Sequence, residues 1–323
     1  MKYIRYRVAG LGVLSDTSLP ELEPQSVEPC GDDDFLTVRL ADAASAKVPP
    51  SLVWYLDQRL DNGDRWMARA KNDEGYLLRY HELADFWVGR AGRQIACCAR
   101  TAGVSDLTIR ALLLDHVLPL VMALRGKYVL HAAAMVADRG SCAFVGDSGS
   151  GKSTLAMSFS RAGHRILTDD CLVLEDRGTV LALATHPSVK LCGDALEALM
   201  PRATATEPVA DYTSKRRLRL RPSELEFSYE PHPLARIYFL SRMNAEAGVA
   251  SPEIEPLSPR DTFFELVNYC IRMDSTKAEL LLNEFRFAER VAGSMPARRL
   301  LMPNNLGALK EAHELVLADL EHT

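Results

Sequence analysis

The chain has 323 residues, 47% hydrophobic and 25% charged, enough to bury one large core or two moderate ones. A net charge of −5 gives it no global attraction for nucleic acid or for an anionic membrane surface. Its seven cysteines are odd in number and lack C-x-x-C spacing, which argues against a disulfide framework and against a zinc site. At the N-terminus, Lys2, Arg5 and Arg7 stand among Tyr3, Ile4, Tyr6 and Val8, the alternation of a strand rather than the apolar region of a targeting segment. Short alternating runs recur at 35–40, 76–80 and 86–88, set apart by turn clusters at 31–34 and 62–64. They predict a small, mostly β domain over residues 1–104. A long apolar helix is expected from about 105 to 124, strained at Pro119. Its most apolar part, 111–124, is interrupted by Asp115, His116 and Pro119 and reads as too short and too polar to span a bilayer. The expectation is a cytoplasmic protein with no nucleic-acid or membrane partner, homo-oligomerisation being left open. Strands are expected around 128–134, 142–145, 166–168, 172–174, 180–184 and 235–240. Ser258, Pro259 and Asp261 mark a helix start, with an N-cap serine, proline at the first position and an acid in the first turn. Helices over about 276–292 and 306–320 follow. This order lacks regular βαβ alternation, so a second domain, 105–323, is expected to carry a mixed sheet.

Within that second domain, Gly146-Asp147-Ser148-Gly149-Ser150-Gly151-Lys152-Ser153-Thr154 completes the pattern G-x-x-x-x-G-K-[ST]. Glycines at this spacing let the backbone curl so that successive N–H groups point at one anion. The helix after the loop adds its positive dipole end. Lys152 is placed to reach the β- and γ-phosphates of a nucleotide, and the Ser153 hydroxyl to ligate Mg²⁺. The setting fits, because an apolar run at 141–145 precedes the loop. Leu155, Ala156, Phe159 and Ala162 then form a helical stripe closed by Gly163 as a C′ residue. The loop therefore predicts nucleoside triphosphate binding. Asp169 and Asp170 follow almost at once. On an extended segment, two adjacent carboxylates face opposite ways and divide their work. The alternative is a polar turn between two short strands, which Asp-Asp also suits.

The order His131, then the loop 146–153, then Gly163-His164-Arg165, then Asp169-Asp170 resembles the HPr kinase/phosphorylase family. It is similar above all to the HPr-kinase-related proteins, a group that includes kinases tailoring lasso-peptide precursors. Segments at 114–120, 124–126, 130–134, 186–196, 215–218 and 296–300, and the opening 10–22, share the pattern, so the resemblance covers nearly the whole chain. It implies a P-loop kinase core of the HPr kinase/PEP-carboxykinase-like type, with a mixed sheet, beside the N-terminal domain. It further implies that His131 is an active-site histidine, that Asp169 takes the proton from a serine hydroxyl, and that Asp170 helps place the metal. The basic, glycine-containing C-terminal segment of true HPr kinases is not recognisable here, which argues against HPr as substrate and against a reverse phosphorylase activity.

Lys215, Arg216 and Arg217 begin a basic cluster in which Arg217, Arg219 and Arg221 alternate with leucine. One reading is a solvated edge strand guarded by charge. The other is a clamp for ATP phosphates or an acidic peptide, brought over the site by a loop at 202–211. The function expected from these features is an ATP-dependent, Mg²⁺-using serine kinase acting on a peptide or small protein. A nucleotide-gated regulatory or scaffold ATPase would need only the loop, and a kinase of a small hydroxyl metabolite would share every motif.

Overall fold

Alternation in the first hundred residues does produce strands. The computed structural model describes residues 3–22, 35–40, 51–200, 206–219, 227–243 and 251–321. The chain divides into two compact units, Met1–Arg125 with Val209–Thr213, and Gly126–Pro208 with Ser214–Thr323. The first unit is built on an eight-stranded sheet in the order Ile4–Val8, Leu11–Ser15, Leu36–Leu40, Gln94–Ala99, Ala84–Gly89, Gly75–Tyr80, Arg65–Lys71 and Val53–Arg59. Leu36–Leu40 runs parallel to both of its neighbours, and the remaining pairs are antiparallel. The turn at Asn62-Gly63-Asp64 forms as expected, with Asp64 N–H donating to Asn62 Oδ1 at 3.1 Å. The cluster at 31–34 lies outside the described residues.

The apolar helix also belongs to this first unit, whereas the sequence reading grouped it with the nucleotide-binding part. Ser105 caps it, accepting from Thr108 N–H at 3.2 Å. It then runs from Asp106 to Leu124 with a π-helical stretch, Leu113–Val117, in which Leu118 N–H reaches back to Leu113 O. Pro119 falls in the first turn of the α-helical segment after that stretch, where its missing N–H is tolerated. The helix forms over the expected range and passes through Pro119; taken whole, it is by length and composition alone long and apolar enough to cross a membrane, which corrects the reading of 111–124 as too short and too polar. In the structure, 72% of its most apolar 18-residue stretch is buried, as in a core helix. The segment expected as a loop over the site is different too. Thr206–Pro208 is a strand, and Asp211 is tied to the helix start through Ser105 Oγ at 2.7 Å and Thr108 Oγ1 at 2.8 Å. Residues 201–205 lie outside the described set.

The second unit is mixed α/β. Its large sheet runs Arg165–Thr168, Ala132–Ala137, Gly140–Val145, His232–Arg242, Val180–Leu183, Leu172–Asp176 and Tyr128–Leu130. Ala297–Met302 pairs in parallel with His232–Arg242, and Glu253–Pro256 flanks it. Helices cover both faces. Leu266 of Pro259–Tyr269 and Val291 of Ala278–Ser294 pack on Val145, Leu172 and Phe239. Phe159 of Lys152–Arg161 and Val316 of Leu309–Glu321 pack on Phe144, Tyr238 and Leu300. Burial of such side chains at roughly 25 cal/mol per Å² is the main force holding the layers together. A separate antiparallel sheet joins Ser188–Leu191, Arg216–Arg219 and Thr206–Pro208.

Candidate active site

The loop takes its shape from its glycines. Gly149 (φ +79°) and Gly151 (φ +103°) lie in the left-handed region that side chains avoid, and Gly151 caps the helix Lys152–Arg161. The first N–H groups of that helix have no intrahelical acceptor, so they and the dipole face the loop. Lys152 is buried and donates from Nζ to Gly146 O and Asp147 O, both at 2.8 Å. Burial lowers its pKa, against the opposing pull of Asp170 and Asp169. Arg242 donates from Nη2 to Gly149 O, and the Tyr269 hydroxyl bonds the Asp147 side chain. At the far end of the helix, Gly163 (φ +97°) closes the turn, with His164 N–H on Phe159 O at 3.1 Å.

Two neighbouring strands break at one level beside this loop, and the polar residues occupy the breaks. The stretch expected as one strand over 128–134 is two, Tyr128–Leu130 and Ala132–Ala137, with His131 between them. Its partner stops at Thr168 and resumes at Leu172. Asp170 sits in the intervening turn at φ +68°, a conformation Asp tolerates better than most residues. The turn is tied by Thr168 Oγ1 to Cys171 O at 2.6 Å and Cys171 N–H to Asp169 O at 3.0 Å. The acids therefore diverge through a turn and not through extended alternation.

Asp169 is 1% exposed; its Oδ1 accepts from Ser153 Oγ at 2.7 Å and its Oδ2 from Lys190 N–H at 2.9 Å. Burial, reinforced by the charge on Asp170, pushes its carboxyl up to about 6. Asp170 instead pairs with Lys190 Nζ at 2.5 Å, and its main-chain oxygen lies 3.0 Å from His131 Nδ1. Burial alone would raise Asp170, but Lys190, His131 and Lys215 together hold it well below the usual carboxylate range. Burial and then the Lys152 charge depress His131, so its ring is neutral near neutral pH. With Nδ1–H donating to Asp170 O, Nε2 is left as an acceptor.

A cleft of about 340 Å³ opens over these groups. Its wall includes His131, Ser148 to Thr154, Asp170, Lys190, Lys215 and Arg242, and continues along Met302 to Leu306. Asp169 stands behind that wall, next to Ser153. Asp169 thus contacts the Ser153 hydroxyl, and Asp170 faces the cleft. Of the basic cluster, Lys215 lines the cleft. Arg216 is engaged elsewhere, bonding Thr206 Oγ1 and Thr206 O at 2.7 Å each. Arg217 is fully buried, set opposite Lys190 and Glu207 in the small sheet. The strand Arg216–Arg219 is the central one of its sheet and not a solvated edge, with Arg217 buried on one face and Leu218 in an apolar cluster on the other. Arg221 lies outside the described residues. Lys190 carries no signal in the sequence, since only tertiary packing brings the strand Ser188–Leu191 beside the side chains of Asp169 and Asp170.

The loop suits a phosphorylated ligand. Among the described residues, Ser150 Oγ is buried there without a hydrogen-bond partner, and the buried Lys152 ammonium donates to two neutral carbonyls that an anion would better match. Ser153 and Asp169 are hard oxygen donors in contact, the pair Mg²⁺ favours when phosphates and water complete its shell. No family model matches this sequence, and no curated protein does. Among solved structures the fold is similar to the Hpr(Ser) kinase/phosphatase from Coxiella burnetii. That match covers 60% of this chain and 97% of that chain, at 12% identity and a TM-score of 0.32.

Proposed function

We propose that the chain is a cytoplasmic ATP-dependent phosphotransferase that moves the γ-phosphate to a serine or threonine hydroxyl of a peptide or small protein. One arrangement carries the reading: beside a phosphate-type loop, one buried carboxylate holds Ser153 while the next lines the cleft with His131 and Lys190. A module that only bound nucleotide would need the loop and nothing more.

The loop N–H groups and Lys152 would hold the phosphates, and Ser153 with Asp169 would hold Mg²⁺. When bound, Mg²⁺ neutralises charge on the phosphate oxygens. Asp170 is the base: ionised and on the cleft wall, it takes the hydroxyl proton as the acceptor oxygen approaches phosphorus. Its depressed pKa makes it a weak base, which suits a loose transition state that asks for alignment more than for deprotonation. His131 fixes the backbone of Asp170 through Nδ1–H. The peptidic acceptor follows from the resemblance of the His131, loop and Asp169-Asp170 order.

The test incubates the protein with Mg·ATP, serine- and threonine-containing peptides and small proteins, and free serine, then weighs the products. One added phosphate on a peptide or protein is the expected result. Phosphate appearing on free serine alone would replace this reading with a metabolite kinase. ATP hydrolysis with every acceptor unmodified would replace it with a regulatory ATPase.

A further inference from the structure

Lys190 lies in the strand Ser188–Leu191 and is 4% exposed, yet the end of its side chain reaches the cleft wall. Its two nitrogens address two consecutive carboxylates. The main-chain N–H holds Asp169, and the ammonium holds Asp170 Oδ2. The first contact is fixed by backbone position, since the strand is registered against Arg216–Arg219. The second depends on the side chain alone. The Asp170 turn fixes the backbone, but a carboxylate still rotates about its own bonds, so something must set its direction. An exposed ion pair would do this poorly, because both partners could swing into water. Here the lysine is enclosed along its length, and its ammonium has little freedom to leave.

We infer that Lys190 is the positioning residue that aims the Asp170 carboxylate at the acceptor hydroxyl, an inference that rests on the phosphotransferase reading. The ion pair engages Oδ2 and leaves Oδ1 for the acceptor. In the step itself, the acceptor O–H bond breaks and its proton goes to Asp170. A bond forms between the acceptor oxygen and the γ-phosphorus, and the bond from that phosphorus to the bridging oxygen breaks, its electron pair leaving with ADP. Lys190 touches none of these atoms. It acts through the carboxylate it holds, so its loss should slow the step without weakening nucleotide binding.

Steady-state kinetics and thermal melts with Mg·ATP test this on the full chain. For Lys190→Met, kcat should fall about 100-fold, within the range of a misplaced general base, with KM for Mg·ATP and the Mg·ATP-dependent rise in Tm unchanged. Lys190→Arg, which keeps a cation, should recover at least a tenfold part of that loss. Two residues acting as one unit are not additive, so Lys190→Met/Asp170→Asn should be no slower than Asp170→Asn alone. The double variant also serves if Lys190→Met fails to fold, because it leaves neither charge buried without a partner. A double variant slower than Asp170→Asn by a further large factor would overturn the inference. So would a Lys190→Met enzyme at the wild-type rate, or one that loses the Mg·ATP-dependent rise in Tm, which would make Lys190 a nucleotide-binding residue. Wild-type protein that shows no such rise and transfers no phosphate would defeat the phosphotransferase reading itself, and this inference with it.

Discussion

Lys152 and the two adjacent acids carry separable expectations. Lys152 is held by loop carbonyls, and these can turn to solvent when it is removed, so Lys152→Ala should fold. It should nevertheless lose nucleotide binding. Ligand at a hundred times its dissociation constant stabilises a fold by about 2.7 kcal/mol. A thermal melt of the wild type with saturating Mg·ATP should show that gain, and Lys152→Ala should not. Asp170→Asn should keep the ligand-dependent shift and lose about 10²–10⁴ in turnover, the usual share of a general base. Asp169→Asn should instead raise the Mg²⁺ concentration needed for half-maximal rate, because it removes a charge from the Ser153 side of the site. Titrating Mg²⁺ against initial rate separates the two; a raised Mg²⁺ requirement in Asp170→Asn and not in Asp169→Asn would restore the division implied by the resemblance. The loop could be read from the sequence because main-chain N–H groups and glycines do its work at fixed spacing. The placement of the acids could not, because it depends on a left-handed turn at Asp170 and on a lysine twenty residues downstream of it.

Elements follow the same rule, with local signals legible and non-local ones hidden. Ser258 was recognisable as a helix cap, and its hydroxyl does accept from Asp261 N–H at 3.1 Å and donate to Asp261 Oδ2 at 2.6 Å. Ser258→Ala should cost about 1 kcal/mol and Ser258→Gly only a few tenths, measured by urea denaturation. By contrast, the expected strand over 128–134 gave no hint of its break at His131, which arises because the two halves pair with different partners. The small sheet around Arg217 was equally hidden, since an arginine alternating with leucine looks like a solvated face until the neighbouring strands are known. The C-terminal helix Leu309–Glu321 is tied down by Asp319, which accepts from Tyr238 Oη at 2.9 Å, Arg298 Nε at 3.0 Å and Arg236. Burial pushes the Asp319 carboxyl up, but these donors outweigh it and hold the carboxyl below its ordinary value. A depressed carboxylate contributes stability that is present above its unfolded pKa of about 3.9 and lost as pH falls through the folded value. Asp319→Asn should therefore lower Tm at pH 7 and flatten its decline below pH 4. A variant with the wild-type acid slope would show that Asp319 does not carry this dependence.

At the scale of the whole molecule, the chain leaves the first unit at Arg125 and returns to it for Val209–Thr213 alone. Five residues are a small share of that unit, yet they are well anchored. Val209 and Ala210 are buried with Ala111, and Asp211 accepts from Ser105 and Thr108 at the start of the long helix. Tyr212 packs against Trp66 with ring centroids 5.0 Å apart and against His116 at 6.3 Å. No composition or periodicity signal marks this return, because its contacts span about a hundred residues of sequence. Its energetic weight can be bounded. Removing a fully buried aromatic ring costs about 3–5 kcal/mol, and Tyr212 is only partly buried, so Tyr212→Ala should cost about 1–3 kcal/mol. The loss should fall on the first unit, since Trp66 and His116, against which Tyr212 packs, both belong to it. Amide hydrogen exchange reads the two units separately in one sample. In Tyr212→Ala, amides of Arg65–Lys71 and of the helix Asp106–Leu124 should exchange faster. Those of Gly140–Val145 should stay at the wild-type rate. Equal acceleration in both places would mean that the two units unfold as one, and that the contacts of Tyr212 stabilise the molecule as a whole.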